Sequence, residues 1–133
     1  MKLVFQPPFG AERLPFGTPR DEVRSGILKG LTFWTPPNEP ENDMYKSEGL
    51  ILGFDDKELL EFIEVISPSS CSYAGMDLLG IPLDNLLEEM ASRGHTSESA
   101  HGSHNFLDLG IVLYCPGGEI ESASIYREGY YDV

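Results

Sequence analysis

The chain is poor in positive charge. Nine lysines and arginines stand against 22 aspartates and glutamates in 133 residues, a formal charge of −13 at neutral pH. A field of that sign repels phosphate backbones and anionic lipid and favours encounter with basic proteins, so neither nucleic acid nor a membrane surface is expected as a partner. The deficit is also uneven: residues 1–48 carry six basic and seven acidic side chains, residues 49–133 three and fifteen. The bland explanation, solubility through self-repulsion, accounts for most acidic proteins and stands beside the functional one.

Cysteine is scarce too. Cys71 and Cys115 are the only two, with no CxxC spacing between them. That excludes a disulfide framework and a cysteine-rich metal site, and two buried thiols are expected. No apolar run is long enough to span a bilayer, and the opening MKLVFQPPFG has one lysine followed by a proline pair, unlike a secretory signal. A soluble cytoplasmic chain is the expectation. The catalytic fingerprints are missing as well: no G-x-S-x-G, no P-loop, no dinucleotide glycine pattern and no aromatics interleaved with basic residues.

What the sequence does have is an echo. FGTPRDEV at Phe16 to Val23 returns as LGIPLDNL at Leu79 to Leu86. In the first copy Thr18 is placed to cap, Pro19 suits the first helical position, and Asp21 and Glu22 favour the helix dipole. Val23, Ile27 and Leu28 follow as a short apolar stripe. In the second, Pro82 opens a helix in which Leu83, Leu86, Leu87, Met90 and Ala91 recur at i, i+3, i+4, i+7 and i+8, with Gly94 ending it.

Each helix is followed by a polar connector and then by two β-type runs around a turn: Gly49 to Ile66 around Asp55 and Asp56, and Gly110 to Tyr126 around Gly117 and Gly118. The expected architecture is α+β, one domain of two α-β-β repeats covering about 1–66 and 67–133. Two hairpins would make an antiparallel sheet of about four strands with both helices on one face. Alternation then puts Ile63, Val65, Ala123 and Ile125 toward the helices. It puts Leu60, Phe62, Glu64, Ile66, Ile120, Ser122, Ser124 and Tyr126 on the opposite face, a mixture closer to a binding surface than to a dry core. The alternative is that the N-terminal segment, or the proline-rich loop with Phe33 and Trp34, covers that face.

The helix signature Gly17, Thr18, Glu22 and Val23 with its trailing hairpin resembles the repeating unit of the β-lactamase-inhibitor-protein-like fold. The two-unit pattern with a terminal EGYYD at Glu128 to Asp132 is similar to a group of small bacterial cytosolic proteins. The resemblance implies binding of protein through a sheet face or loops, with no catalytic residues to carry over.

The expected function is therefore non-enzymatic protein binding, of the immunity or antitoxin-like inhibitor type, directed at a basic partner. Phe62, Glu64 and Tyr126 are the candidate centre and Asp55, Asp56, Glu119 and Glu121 the candidate rim. No cofactor or metal is expected. The alternative is a small metal- or ligand-binding domain or enzyme built on His95, His101 and His104, whose Ser- and Gly-rich setting and spacing lack the register of a helical metal site.

Overall fold

The computed structural model describes residues 1–130. The chain begins with β1 (Lys2–Val4), β2 (Gly10–Ala11) and β3 (Leu14–Pro15). Then α1 (Arg20–Glu22) runs into a π-helical turn over Val23–Ile27. After β4 (Asn42–Tyr45), β5 (Leu50–Phe54) and β6 (Leu60–Ile66) come β7 (Ser70–Tyr73), β8 (Met76–Asp77) and the ten-residue α2 (Leu83–Ser92). The last strands are β9 (Glu98–Ala100), β10 (Ser103–Phe106), β11 (Ile111–Tyr114) and β12 (Ser122–Tyr126).

The protein is α+β, mostly sheet with two short helices. Its main sheet has seven strands in the order β4-β5-β6-β12-β11-β10-β9, every neighbouring pair antiparallel. This corrects the expectation of about four. The additional strands come from the polar connectors: β4 lies in the proline-rich loop, and β9 and β10 in the Ser- and Gly-rich stretch that holds the three histidines. Sequences such as NDMY and ESA have weak strand preference, but pairing against β5 and β10 satisfies their backbone groups, and tertiary context overrides propensity. A smaller sheet, β1-β7-β8, has β1 parallel to β7, and β2 pairs with β3.

The helices begin where proline places them. Pro19 and Pro82 are the N-caps, both with extended ψ of 142° and 144°. The cap chemistry differs from expectation, since the Thr18 hydroxyl donates back to Pro15 O at 2.7 Å and accepts from no helix N–H. Beyond one α-turn, Ser25 and Gly26 are poor helix formers, and the chain widens so that Leu28 N–H donates to Val23 O at 2.8 Å. Val23 and Leu28 both remain in the core. On α2, Leu86 and Met90 are fully buried and Leu83 and Leu87 pack partly against them, whereas Ala91 is exposed, so the stripe is narrower than the sequence pattern suggested.

One cluster joins all of this. Leu3, Phe5 and Leu14 from the N-terminal segment, Val23 and Leu28, Cys71 and Met76, and Leu86 and Met90 pack onto Leu52, Ile63, Val65, Ala123 and Ile125 of the sheet. The helices, the small sheet and the N-terminal hairpin thus share one face of the main sheet. Leu86→Ala should lower stability by about 2–5 kcal/mol, measured by chemical denaturation. A loss below about 0.5 kcal/mol would place α2 outside the core.

Candidate functional site

The registers define the opposite face of the sheet. Trp34 bridges Met44, and the row continues through Ile51, Glu64, Ser124, Val112 and Asn105 to Glu98. A second row runs from Ile66 through Ser122 and Tyr114 to Ser103, and Phe62 pairs Tyr126 at the other end. Residues facing the helices on β5, β6, β11 and β12 are buried to within a few per cent, but Met44, Ile51, Phe62, Glu64, Ile66 and Val112 are only half-buried. Trp34 and Tyr114 are 49% and 43% exposed. Neighbouring strands shield these side chains to that degree by themselves; a packed layer above them would bury them fully.

Two assignments to this face change. A register shift at Gly53/Phe54 pairs Phe54 with Leu60 and Gly53 with Phe62, leaving Glu61 as an extra residue. The bulge turns Leu60 into the core, where it is 1% exposed. Ile120 precedes β12 and packs against the core as well.

Tyr126 is also less available than the alternation suggested. Its hydroxyl donates to Asn105 Oδ1 at 2.8 Å, and Tyr130 lays its ring against both Tyr126 and Phe62, with centroids 5.7 and 5.6 Å away. Tyr126 is therefore the buried floor of one end of the face, and Phe62 its half-buried neighbour under the same Tyr130 ring. Of the terminal EGYYD, Tyr131 and Asp132 lie outside the described residues. Ser122 and Ser124 are buried because larger side chains on β6 and β11 flank them, and Ser122 Oγ donates to Glu64 Oε2 at 2.7 Å.

The acidic turns do not form one patch. Because β6 and β12 are antiparallel, Asp55 and Asp56 lie before the Phe62 end of the face, and Glu119 and Glu121 before the Ser122 end. Asp55 also serves its own turn, accepting from the Lys57 and Leu59 N–H groups at 2.9 and 3.0 Å. Asp56, Glu119 and Glu121 are exposed.

As for coverage, Leu3, Phe5 and Leu14 belong to the helix-side core, and Phe33 packs on Tyr45 of that same side at 5.7 Å. Trp34 continues the open face as a half-strand beyond β4, with Lys46 Nζ 4.6 Å from its ring centroid.

The histidines go to separate partners. His95 Nδ1–H donates to Asp108 Oδ2 at 2.6 Å, which leaves Nε2 facing the Tyr73 hydroxyl at 3.4 Å; His104 Nδ1 lies 3.3 Å from Ser97 Oγ; His101 is exposed in a turn. Among the described residues no group of three or more His, Cys, Asp or Glu is placed to hold a metal ion. Cys71 and Cys115 are both free and buried. Burial pushes the Cys71 thiol up to about 12, with Asp77 nearby adding to the shift, so it is inert as a nucleophile at neutral pH.

Sequence reasoning missed the strongest electrostatic feature. Asp43, fully buried on the helix side of β4, accepts from Arg20 Nη2 at 2.6 Å, from Arg24 Nε and Nη2 at 2.8 Å each, and from the Thr35 hydroxyl at 2.8 Å. Arg20 also reaches Glu58 Oε2 and Pro40 O, both at 2.9 Å. The guanidinium carbons of Arg20 and Arg24 sit 4.9 and 4.3 Å from the ring centroids of Phe54 and Phe33. Burial pushes the Asp43 carboxyl upward, but the bonds from Arg24, Arg20 and Thr35 outweigh it and hold the group at about 2. The available signal was the i, i+4 spacing of Arg20 and Arg24 in a chain so short of cations. Next to it, burial and the Asp43 charge push the Tyr45 phenol up to about 12, and its hydroxyl has no hydrogen-bond partner among the described residues.

Compared with known proteins, the chain matches no family model, no curated protein and no solved structure.

Two stability measurements check this geometry. Asp43→Asn should cost about 3 kcal/mol at neutral pH, because it leaves two partly buried guanidinium groups without their carboxylate. The carboxyl is held below its ordinary value near 3.8, so its contribution is complete above about pH 4 and lost as pH falls toward 2. Denaturation from pH 5 to 2 should show this acid-labile component in the native chain and not in Asp43→Asn. Tyr45→Phe removes an unpartnered hydroxyl and should be neutral or stabilising by up to about 1 kcal/mol. A loss above about 2 kcal/mol would mean that the hydroxyl has a partner.

Proposed function

We propose that this protein is a non-enzymatic binding module that holds a basic protein against the open face of its seven-stranded sheet, in the manner of an immunity or antitoxin-like inhibitor. The observation that carries the reading is the face itself. Trp34, Met44, Ile51, Phe62, Ile66, Val112 and Tyr114 form a half-buried apolar and aromatic surface interrupted by Glu64 and the serines of β12. Interfaces concentrate aromatic anchors and methionine in this way, whereas a solvated sheet face alternates to charge. The acidic turns at both ends would steer a basic partner from two sides.

The same reading takes the chain as two helix-and-strand copies. Gly49 and Gly110 support it. Both have positive φ, 75° and 70°, and each accepts through its carbonyl from the last residue of the paired strand, Ile66 N–H at 2.8 Å and Tyr126 N–H at 2.9 Å. The strand order is also symmetric about β6 and β12, with β4-β5-β6 on one side and β10-β11-β12 on the other. Duplication of this kind would explain the resemblance to the β-lactamase-inhibitor-protein-like unit and give a face wider than one copy could build.

The test is isolation of the partner from the native host followed by binding kinetics. Phe62→Ala or Trp34→Ala should weaken binding by about 2 kcal/mol, mainly through faster dissociation. Neutralising Asp56, Glu119 and Glu121 together should slow association and flatten its salt dependence, with dissociation little changed. An acidic partner, or binding indifferent to Phe62, Trp34 and salt, contradicts the proposal.

A further inference from the structure

The two edges of the main sheet are treated differently. At β4 the edge is closed: Trp34 N–H donates to Met44 O at 2.9 Å and Met44 N–H to Trp34 O at 2.8 Å, and prolines 36, 37 and 40 follow. A proline-rich cover of this kind leaves nothing for another strand to pair with. At β9 the edge is open. Glu98, Ser99 and Ala100 are all exposed, with no proline, no lysine and no bulge among them.

The ladder fixes which backbone groups of β9 are free. Cys115 N–H donates to Gly102 O at 2.7 Å, so Gly102 and the residues two and four positions on, His104 and Phe106, turn their backbone groups toward β11. Ser103 and Asn105 therefore turn theirs toward β9, where they are paired with Ala100 and Glu98. Ser99 lies between these pairs and presents both its N–H and its C=O outward.

Beside this edge is a cavity of about 360 Å³ lined by Glu98 and Asn105 of the open face, by Leu107 and Asp108 of the turn after β10 and by the connector after α2, with no lysine or arginine in its wall. One Asp108 oxygen holds His95, and Leu107 is 55% exposed. Two carboxylates, an amide and an aliphatic wall match the charged head and methylene stem of a lysine or arginine.

From this edge we infer the form of the ligand: an extended segment of a basic protein adds as an eighth strand on β9, pairing with Ser99 and placing a lysine or arginine side chain between Glu98 and Asp108. The inference rests on the proposed binding of a basic protein and specifies how that protein is held. Main-chain bonds to Ser99 set the register, and alternate side chains fall on the open face or on the helix side. Charge selects the occupant. A second copy would bring Glu98 close to its own image and set two chains of net charge −13 against each other, whereas a basic strand neutralises the edge.

The probe is a nine-residue peptide alternating lysine with threonine and valine, compared with an analogue N-methylated on alternate residues and one with glutamate in place of lysine. Backbone-amide NMR and hydrogen exchange on the full chain read the result. The lysine peptide should shift Glu98, Ser99 and Asp108 and slow Ser99 amide exchange by about tenfold at saturation. The methylated and glutamate peptides should do neither. Ser99→Pro removes only an outward N–H, so it should keep the native melting temperature and lose the peptide; Glu98→Lys should weaken binding by at least about fivefold.

No shift with any peptide, or equal shifts with the glutamate peptide, overturns the inference. Shifts centred on Ile51 and Phe62 with β9 silent also overturn it, while leaving the binding face in place. Ser99 protection that grows with protein concentration alone, together with a dimer in sedimentation that is lost in Ser99→Pro, assigns the edge to a second copy and overturns it too. Failure of the wider proposal looks different, since it would appear as Phe62→Ala and Trp34→Ala leaving native-partner affinity unchanged.

Discussion

The arrangement depends on one carboxylate. Asp43 sits without solvent contact on the edge strand β4, and an isolated ionised carboxyl there would be too costly to keep. Arg20 and Arg24, one helical turn apart, and Thr35 supply the hydrogen bonds that make it tolerable. The three donors come from α1, the π-helical turn and the proline-rich loop, so a single charge ties those segments to the sheet. The consequence extends past the cluster. Thr35 is held next to Trp34, and Trp34 closes the β4 edge and ends the open face. A buried ion network adds little net stability compared with apolar packing, but it penalises every arrangement in which its members are separated. Here it specifies where an otherwise weakly structured loop must lie.

The second constraint is the antiparallel pair β6 and β12 at the sheet centre. Its period of two divides the same strands into Ile63, Val65, Ala123 and Ile125, which are wholly buried, and Phe62, Glu64, Ser122 and Ser124, which form the other face. On the helix side the residues of β5, β6, β11 and β12 are all apolar, and Asp43 on β4 is the charged exception among them. On the other side the apolar residues are spread among hydroxyls and carboxylates, so the face is soluble while remaining sticky at its aromatics. The bulge at Glu61 sharpens this division by turning Leu60 inward and leaving Phe62 outward.

Much of this was legible in the sequence, and the misses share a physical origin. Pro19 and Pro82 marked both helix starts, because proline fixes φ at a position whose N–H is free in any case. The alternation in β6 and β12 gave the two faces correctly except at Leu60 and Ile120. A bulge or a strand beginning two residues late leaves no trace in periodicity. The strands β4, β9 and β10 were invisible for a different reason: their sequences have little strand preference, and they exist through hairpin pairing with the strand that follows each of them. The Asp43 network was likewise hidden, since acidic residues in a proline-rich loop are normally solvated and only the fold brings two arginines to this one. Tyr126 was placed on the right face, but its burial depends on Tyr130, a contact that local pattern cannot show.

The central claim is that the open face, rather than the helix side, is the working surface. A photo-crosslinking amino acid at Val112, in the middle of that face, compared with one at Leu87 on α2, tests it most directly in the native host. The account predicts a discrete adduct at Val112 with a protein of basic isoelectric point, lost when the cells are lysed into high salt before irradiation, and none at Leu87. Adducts at Leu87 alone, or an acidic partner at Val112, would contradict it.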